Sequence, residues 1–268
     1  MRGGRIEPLG LYPGRQTPRL YDALIEAFRV RRNRFALMSK KLRDVVIYFA
    51  IAFGLTYLAS QLPDLAIGAL DIKLLLCSFG PLVSGLICYR LLKTKNAIGV
   101  SLLGTRPVFS VAVCIVPLTT VCLTQTKHDL TVILVYALTQ FVYCFGEEFG
   151  WRHYLQNATS FMNEWLQSFL IGLLWFSWHY SFLEDMSSRM PGRDLPALVF
   201  PPIMIVLLSL VSYLFGVMVK RSRSVLFPTV GHLLFKTGLV TMIVTGCVMC
   251  AILVFWNRLP FGEREDVA

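Results

Sequence analysis

The chain has 268 residues, 55% of them hydrophobic and only 16% charged, with a mean hydropathy of +0.60. This composition excludes a soluble globular core and points to an all-α protein, a polytopic transmembrane bundle of about eight helices. The formal net charge of +10 is concentrated: residues 1–43 hold eleven Lys or Arg interleaved with apolar and aromatic residues, which suits an anionic lipid surface and argues against nucleic acid as a partner.

Read in chain order, residues 1–43 form a basic segment. Leu20 to Met38 within it is read as an interfacial helix, the alternative being a basic tail that only fixes topology. Residues 44–257 form the transmembrane bundle, with spans expected near 44–62, 72–92, 107–126, 130–157, 164–183, 197–219, 224–237 and 239–257, the seventh short. Residues 258–268 make a cytosolic tail. The 63–71 connection has Asp64 and Asp71 before Lys73, whereas 90–106 has Arg90, Lys93, Lys95 and Arg106, and Lys220, Arg221 and Arg223 mark the turn after span six. By the positive-inside rule both termini are then cytosolic, and the membrane is expected to be the cytoplasmic membrane of a prokaryote. The 183–196 loop falls outside on this reading despite Arg189 and Arg193. Pro81 and Pro117 lie inside spans two and three, where each frees a backbone carbonyl and favours a kink. Seven cysteines all lie in apolar segments and read as small packing residues, Cys247-x-x-Cys250 included.

Span four carries the costliest feature of the sequence, Glu147-Glu148-Phe149-Gly150-Trp151-Arg152. A charge near the bilayer centre costs about 2.5–3.5 kcal/mol even on the gentler insertion scales. On an α-helix Glu148 and Arg152 share a face and pair, while Glu147 points about 100° away and needs a partner from another helix or from water. Were the helix to end near Phe145, the charges would sit among the headgroups, but Trp151, Tyr154 and Leu155 carry apolar character further on. Two histidines also stand inside apolar helices, His179 in span five and His232 in span seven. At about 1.5 Å per residue both fall near the depth of Glu147, close to mid-membrane, if spans four and five run to the later ends given above.

A carboxylate facing an imidazole across a polar hollow suits proton abstraction from water, and a second imidazole can donate to the oxyanion formed when water attacks a carbonyl. One Glu and two His also resemble a zinc ligand set. A cofactor-free site is preferred over zinc, because the sequence lacks H-E-x-x-H and shows no further carboxylate to orient the imidazoles.

These residues resemble the CPBP family of membrane proteins, which includes CAAX prenyl proteases of the Rce1 type and bacteriocin-processing Abi proteins. Its E-E-x-x-x-R motif is met by Glu147, Glu148 and Arg152. Its aromatic residue four before a His is met by Trp175 and His179. The third motif, H-x-x-x-N or H-x-x-x-D after an Arg-Ser-x-Ser…Pro approach, is met by Arg221-Ser222-Arg223-Ser224…Pro228 and His232, and Lys236 stands where the family has Asn or Asp. His153 replaces the usual Gly after the motif arginine. The match covers residues 140–236.

The resemblance implies a glutamate-dependent intramembrane endopeptidase in which Glu147 and His179 activate water, His232 helps hold the oxyanion, and Glu148, Arg152, Trp175 and Lys236 support the site. Its substrate would be a peptide or lipid-modified protein, of the CAAX-type prenylated kind among others, entering from membrane or cytosol. The alternative is a catalytically silent self-immunity or scaffold protein in the membrane, motivated by Lys236, whose ammonium can pair with Glu147.

Overall fold

The computed structural model of the protein describes residues 17–67, 70–124, 129–183 and 196–259. Eight helices dominate them: α1 (Thr17–Ser60), α2 (Ile72–Leu92), α3 (Pro107–Thr124), α4 (Leu130–Glu148), α5 (Glu164–His179), α6 (Phe200–Ser222), α7 (Leu226–Leu234) and α8 (Leu239–Val254). Helix α4 runs on through a π-helical stretch, Phe149–Leu155, into a last α-turn, Gln156–Ala158. A two-residue antiparallel ladder joins Ala66–Ile67 to Leu70–Asp71 between α1 and α2. The chain divides into two compact units, Met1–Leu42 and Arg43–Ala268.

Polar residues set the helix boundaries. Asp71 caps α2 by accepting from Leu74 N at 2.8 Å, Asp129 caps α4 through Thr131 N at 2.7 Å, and Asn163 caps α5 through Leu166 N at 2.8 Å. Helices α2 and α6 each stop at a left-handed residue, Lys93 (φ 52°) and Arg223 (φ 56°). Beyond the second stop, Ser101 and Ser224 form an isolated parallel bridge that aims the chain into α7.

All eight expected positions are helical, which bears out the all-α bundle. Four segments are long and apolar enough to cross a bilayer: Asp22–Ser60, Ile72–Leu92, Leu130–Ala158 and Phe200–Ser222. Pro107–Thr120 and Leu239–Val254 are shorter apolar helices. Helix α7 has nine residues, about 14 Å of rise against a hydrocarbon core of about 30 Å, so it does not span as the seventh segment was expected to. The 183–196 loop lies outside the described residues at 184–195, as does the tail from residue 260 onward.

Glycine brings helices into close register. A Cβ on Gly172 of α5 would stand 2.5 Å from Ser209 Oγ and 2.6 Å from Ser209 N on α6. One on Gly150 would meet Pro81 Cβ and Tyr48 Oη at 2.5 Å each. Pro81, expected to favour a kink, is thus seated against the π-helical stretch. The largest core cluster includes Tyr48, Trp151, Tyr154, Leu155, Trp175, Trp178 and Phe215. A second joins Val113, Phe227, Val230, Leu234, Met249 and Trp256. Cys77, Cys88 and Cys144 are buried in the bundle, but Cys247 and Cys250 are exposed on α8, so those two do not pack as expected.

Candidate functional site

Glu147 and Glu148 end the regular part of α4, and neither they nor Arg152 has any exposed surface. The helix does not stop at Phe145 in a headgroup layer. Trp151, Arg152, Tyr154 and Leu155 are all 0% exposed, and the Gln156 N–H donates to the carbonyl of Trp151, five residues back. The sequence reading took this stretch as continuous α-helix. The π-turn is the departure, and such turns arise where one residue too many is held by surrounding packing.

Glu148 is doubly held. Arg152 Nε donates to its Oε2 at 2.9 Å, which is the expected pair, and His232 Nδ1 donates to its Oε1 at 3.0 Å. The second contact corrects the view that no carboxylate orients an imidazole, since Glu148 orients His232. The Arg152 fork also reaches α6, with Nη2 donating to Ser212 Oγ at 3.3 Å, and its cation lies over the rings of Trp175 at 5.5 Å and Phe215 at 5.4 Å. Ser212 and Phe215 carry no motif, and only the fold brings them here.

Glu147 finds the interhelical partner it required in Trp175, whose Nε1 donates to Glu147 Oε2 at 2.7 Å. Its other oxygen, Oε1, is buried and accepts no hydrogen bond from the protein among the described residues. Tyr143, one turn earlier on α4, His179, His232 and Lys236 are all near enough to act on this carboxylate. The indole of Trp175 connects the imidazoles, with ring centroids 5.2 Å from His232 and 6.3 Å from His179. His179 Nδ1 donates to the Trp175 carbonyl at 2.8 Å, which places the proton on Nδ1 and leaves Nε2 with its lone pair.

The three expected catalytic residues therefore come together, but not by the route foreseen. His179 is the last residue of α5 rather than a mid-helix position, and His232 is in the last turn of the short α7. Each stands at a helix C-terminus, where unpaired carbonyls favour a cation or a proton donor. Arg152 pairs with Glu148, while the equally buried Glu147 is met by the Trp175 indole N–H, with the imidazoles and the Lys236 ammonium near it.

Lys236 and His153 each rest against an aromatic ring. The Lys236 ammonium lies over the face of Tyr143, 4.0 Å from the ring centroid, and no ion pair joins it to Glu147 among the described residues. His153 stacks on Phe149 at 4.5 Å and meets Tyr89 Oη through Nδ1 at 3.1 Å, on the side facing α2. Among the described residues, no three His, Cys, Asp or Glu side chains are grouped so as to hold a metal ion.

Four segments long and apolar enough to cross a bilayer suit an integral membrane protein, and the buried Glu-Glu-Arg cluster with its two imidazoles is the candidate site. Residues 129–238 match the family model for Type II CAAX prenyl endopeptidase Rce1-like proteins, and this part of the chain is similar to that family. No curated protein matches the chain.

Proposed function

We propose that the protein is a glutamate-dependent intramembrane endopeptidase. Glu147 Oε1 carries this reading: a buried carboxylate oxygen with no protein donor, on a group fixed by Trp175 and neighboured by both imidazoles, is free to accept a hydrogen bond from water. Glu147 and His179 Nε2 would together take the proton as water attacks the scissile carbonyl. His232, turned by Glu148, would present Nε2 to the developing oxyanion when its ring carries both protons. Arg152 holds Glu148 in place and thereby supports His232 at one remove. The site as proposed needs no metal, and Lys236 is not drawn into an ion pair with Glu147, which favours an active enzyme over a silent family member.

The substrate is proposed to be a peptide or lipid-modified protein presented from the bilayer, with the basic segment before Arg43 resting on anionic lipid. The protein is proposed to span the cytoplasmic membrane of a prokaryote several times with both termini cytosolic. Glu147→Gln should abolish cleavage of a reporter peptide by the reconstituted protein without changing its thermal unfolding. Cleavage by the parent should persist in a strong chelator. Retained cleavage in Glu147→Gln would remove the glutamate from the mechanism, and loss to the chelator with rescue by zinc would replace the metal-free scheme.

A further inference from the structure

Buried polar atoms that make no hydrogen bond among the described residues include Glu147 Oε1, Tyr48 Oη and Trp151 Nε1. The peptidase reading uses only the first. A hydroxyl and an indole N–H shut away from water without a partner are both costly, and two of them close to an equally unpaired carboxylate oxygen ask for a partner in common.

The three side chains adjoin one another. Gly150 and Trp151 follow Glu147 by three and four residues, one turn on and along the same side of the helix. Helical side chains lean toward the N-terminus, which tilts the Trp151 indole back over the turn that carries Glu147. Tyr48 comes from α1. Its Oη stands 2.5 Å from the position a Gly150 Cβ would take, and its ring meets the Trp151 indole edge to face with centroids 5.8 Å apart. Cys88, Tyr154, Arg152 and Glu147 are all near enough to act on the Tyr48 hydroxyl, yet none of them hydrogen-bonds to it. The chemistry of the three atoms is complementary: the carboxylate oxygen accepts, the indole N–H only donates, and the phenol does either. Water, with two protons to give and two lone pairs, serves all three at once, and buried waters typically make about three hydrogen bonds. An anion is repelled by the carboxylate, and a cation finds no acceptor in the indole N–H.

We propose that Tyr48 and Trp151 hold a bound water against Glu147 Oε1, and that Tyr48 is a positioning residue for the water consumed in hydrolysis. The water donates to Glu147 Oε1, accepts from Trp151 Nε1 and is steered by Tyr48 Oη. On attack its oxygen joins the carbonyl carbon and its proton passes to Glu147 and His179, while Tyr48 and Trp151 keep their own protons. The role in turnover rests on the peptidase reading, but the binding of water does not. Tyr48 lies in α1, outside the matched residues 129–238, so this part of the site comes from a helix that carries none of the motifs.

The test uses the full chain. A lipid-phase crystal structure that resolves ordered water should show density within about 3.2 Å of Tyr48 Oη, Trp151 Nε1 and Glu147 Oε1. Tyr48→Phe keeps the ring and removes one partner of the water, so the unfolding midpoint in detergent should fall by about 2–4 °C. A hydroxyl with no partner predicts the opposite sign, because its removal relieves a buried unpaired group. In nanodiscs the same variant should lower kcat for the reporter peptide about tenfold with KM unchanged, because Tyr48 acts on the water and not on the peptide. No density between the three atoms, a midpoint at or above that of the parent, or an unchanged kcat would each overturn the proposal. A parent that cuts no reporter would count against the peptidase, and the density and the midpoint would still decide whether the water is held.

Discussion

The Trp175 indole N–H is the group that fixes Glu147, and the Trp175 carbonyl is the group that fixes the proton of His179. One residue thus sets the orientation of both partners in the proposed proton transfer. A hydrogen bond to a charged group contributes about 1.5–3 kcal/mol, so Trp175→Phe should slow reporter cleavage by about 10–100-fold with little change in secondary structure. Single-turnover cleavage by the reconstituted variant checks this, and unchanged rates would show that Glu147 does not depend on the indole. The resemblance to the family motif singles out Trp175, an aromatic residue four before His179. It does not show that the side chain and the carbonyl serve different partners, since that depends on α5 lying across the end of α4.

Helix α4 changes character at the site, from regular turns before Glu148 to a π-turn after it, and its two ends respond to different perturbations. At the entry, Asp129 caps the helix, and the backbone N–H of Thr131, followed by its hydroxyl and the Val132 N–H, holds the Asp129 carboxyl below the usual range. A depressed carboxyl stabilises the fold at neutral pH and loses that contribution as pH falls through its lowered value. Protection of the Thr131 and Val132 amides, taken as exchange relative to the intrinsic rate at each pH, should fall as the medium becomes acidic, ahead of that of amides deeper in α4. The α5–α6 seam tests packing instead. Gly172→Leu places side-chain atoms where even a Cβ would be 2.5–2.7 Å from Ser209, and overpacking of this kind destabilises by about 1–3 kcal/mol. Thermal unfolding in detergent should show the loss, whereas Gly246→Leu on α8, where a Cβ meets nothing within 4 Å, should not.

For the molecule as a whole, the division at Arg43 leads to a clear expectation. The acid-base centre and both principal core clusters lie within Arg43–Ala268. A chain beginning at Arg43 should therefore unfold at the same temperature in detergent as the full chain and keep its cleavage of the reporter peptide. A lowered midpoint would mean that residues before Arg43 support the bundle. Composition alone was enough to read the membrane bundle, because burying this much apolar sequence in lipid leaves helices as the economical solution for the backbone. The Glu148–Arg152 pair was also legible, because four residues along a helix bring two side chains to one face. Tertiary structure alone decided that α7 is too short to cross, that Glu148 also orients His232, that Ser212 joins the cluster, and that Lys236 lies over the ring of Tyr143. Those contacts join residues distant in sequence, and helical periodicity states which face a side chain occupies without stating what lies opposite.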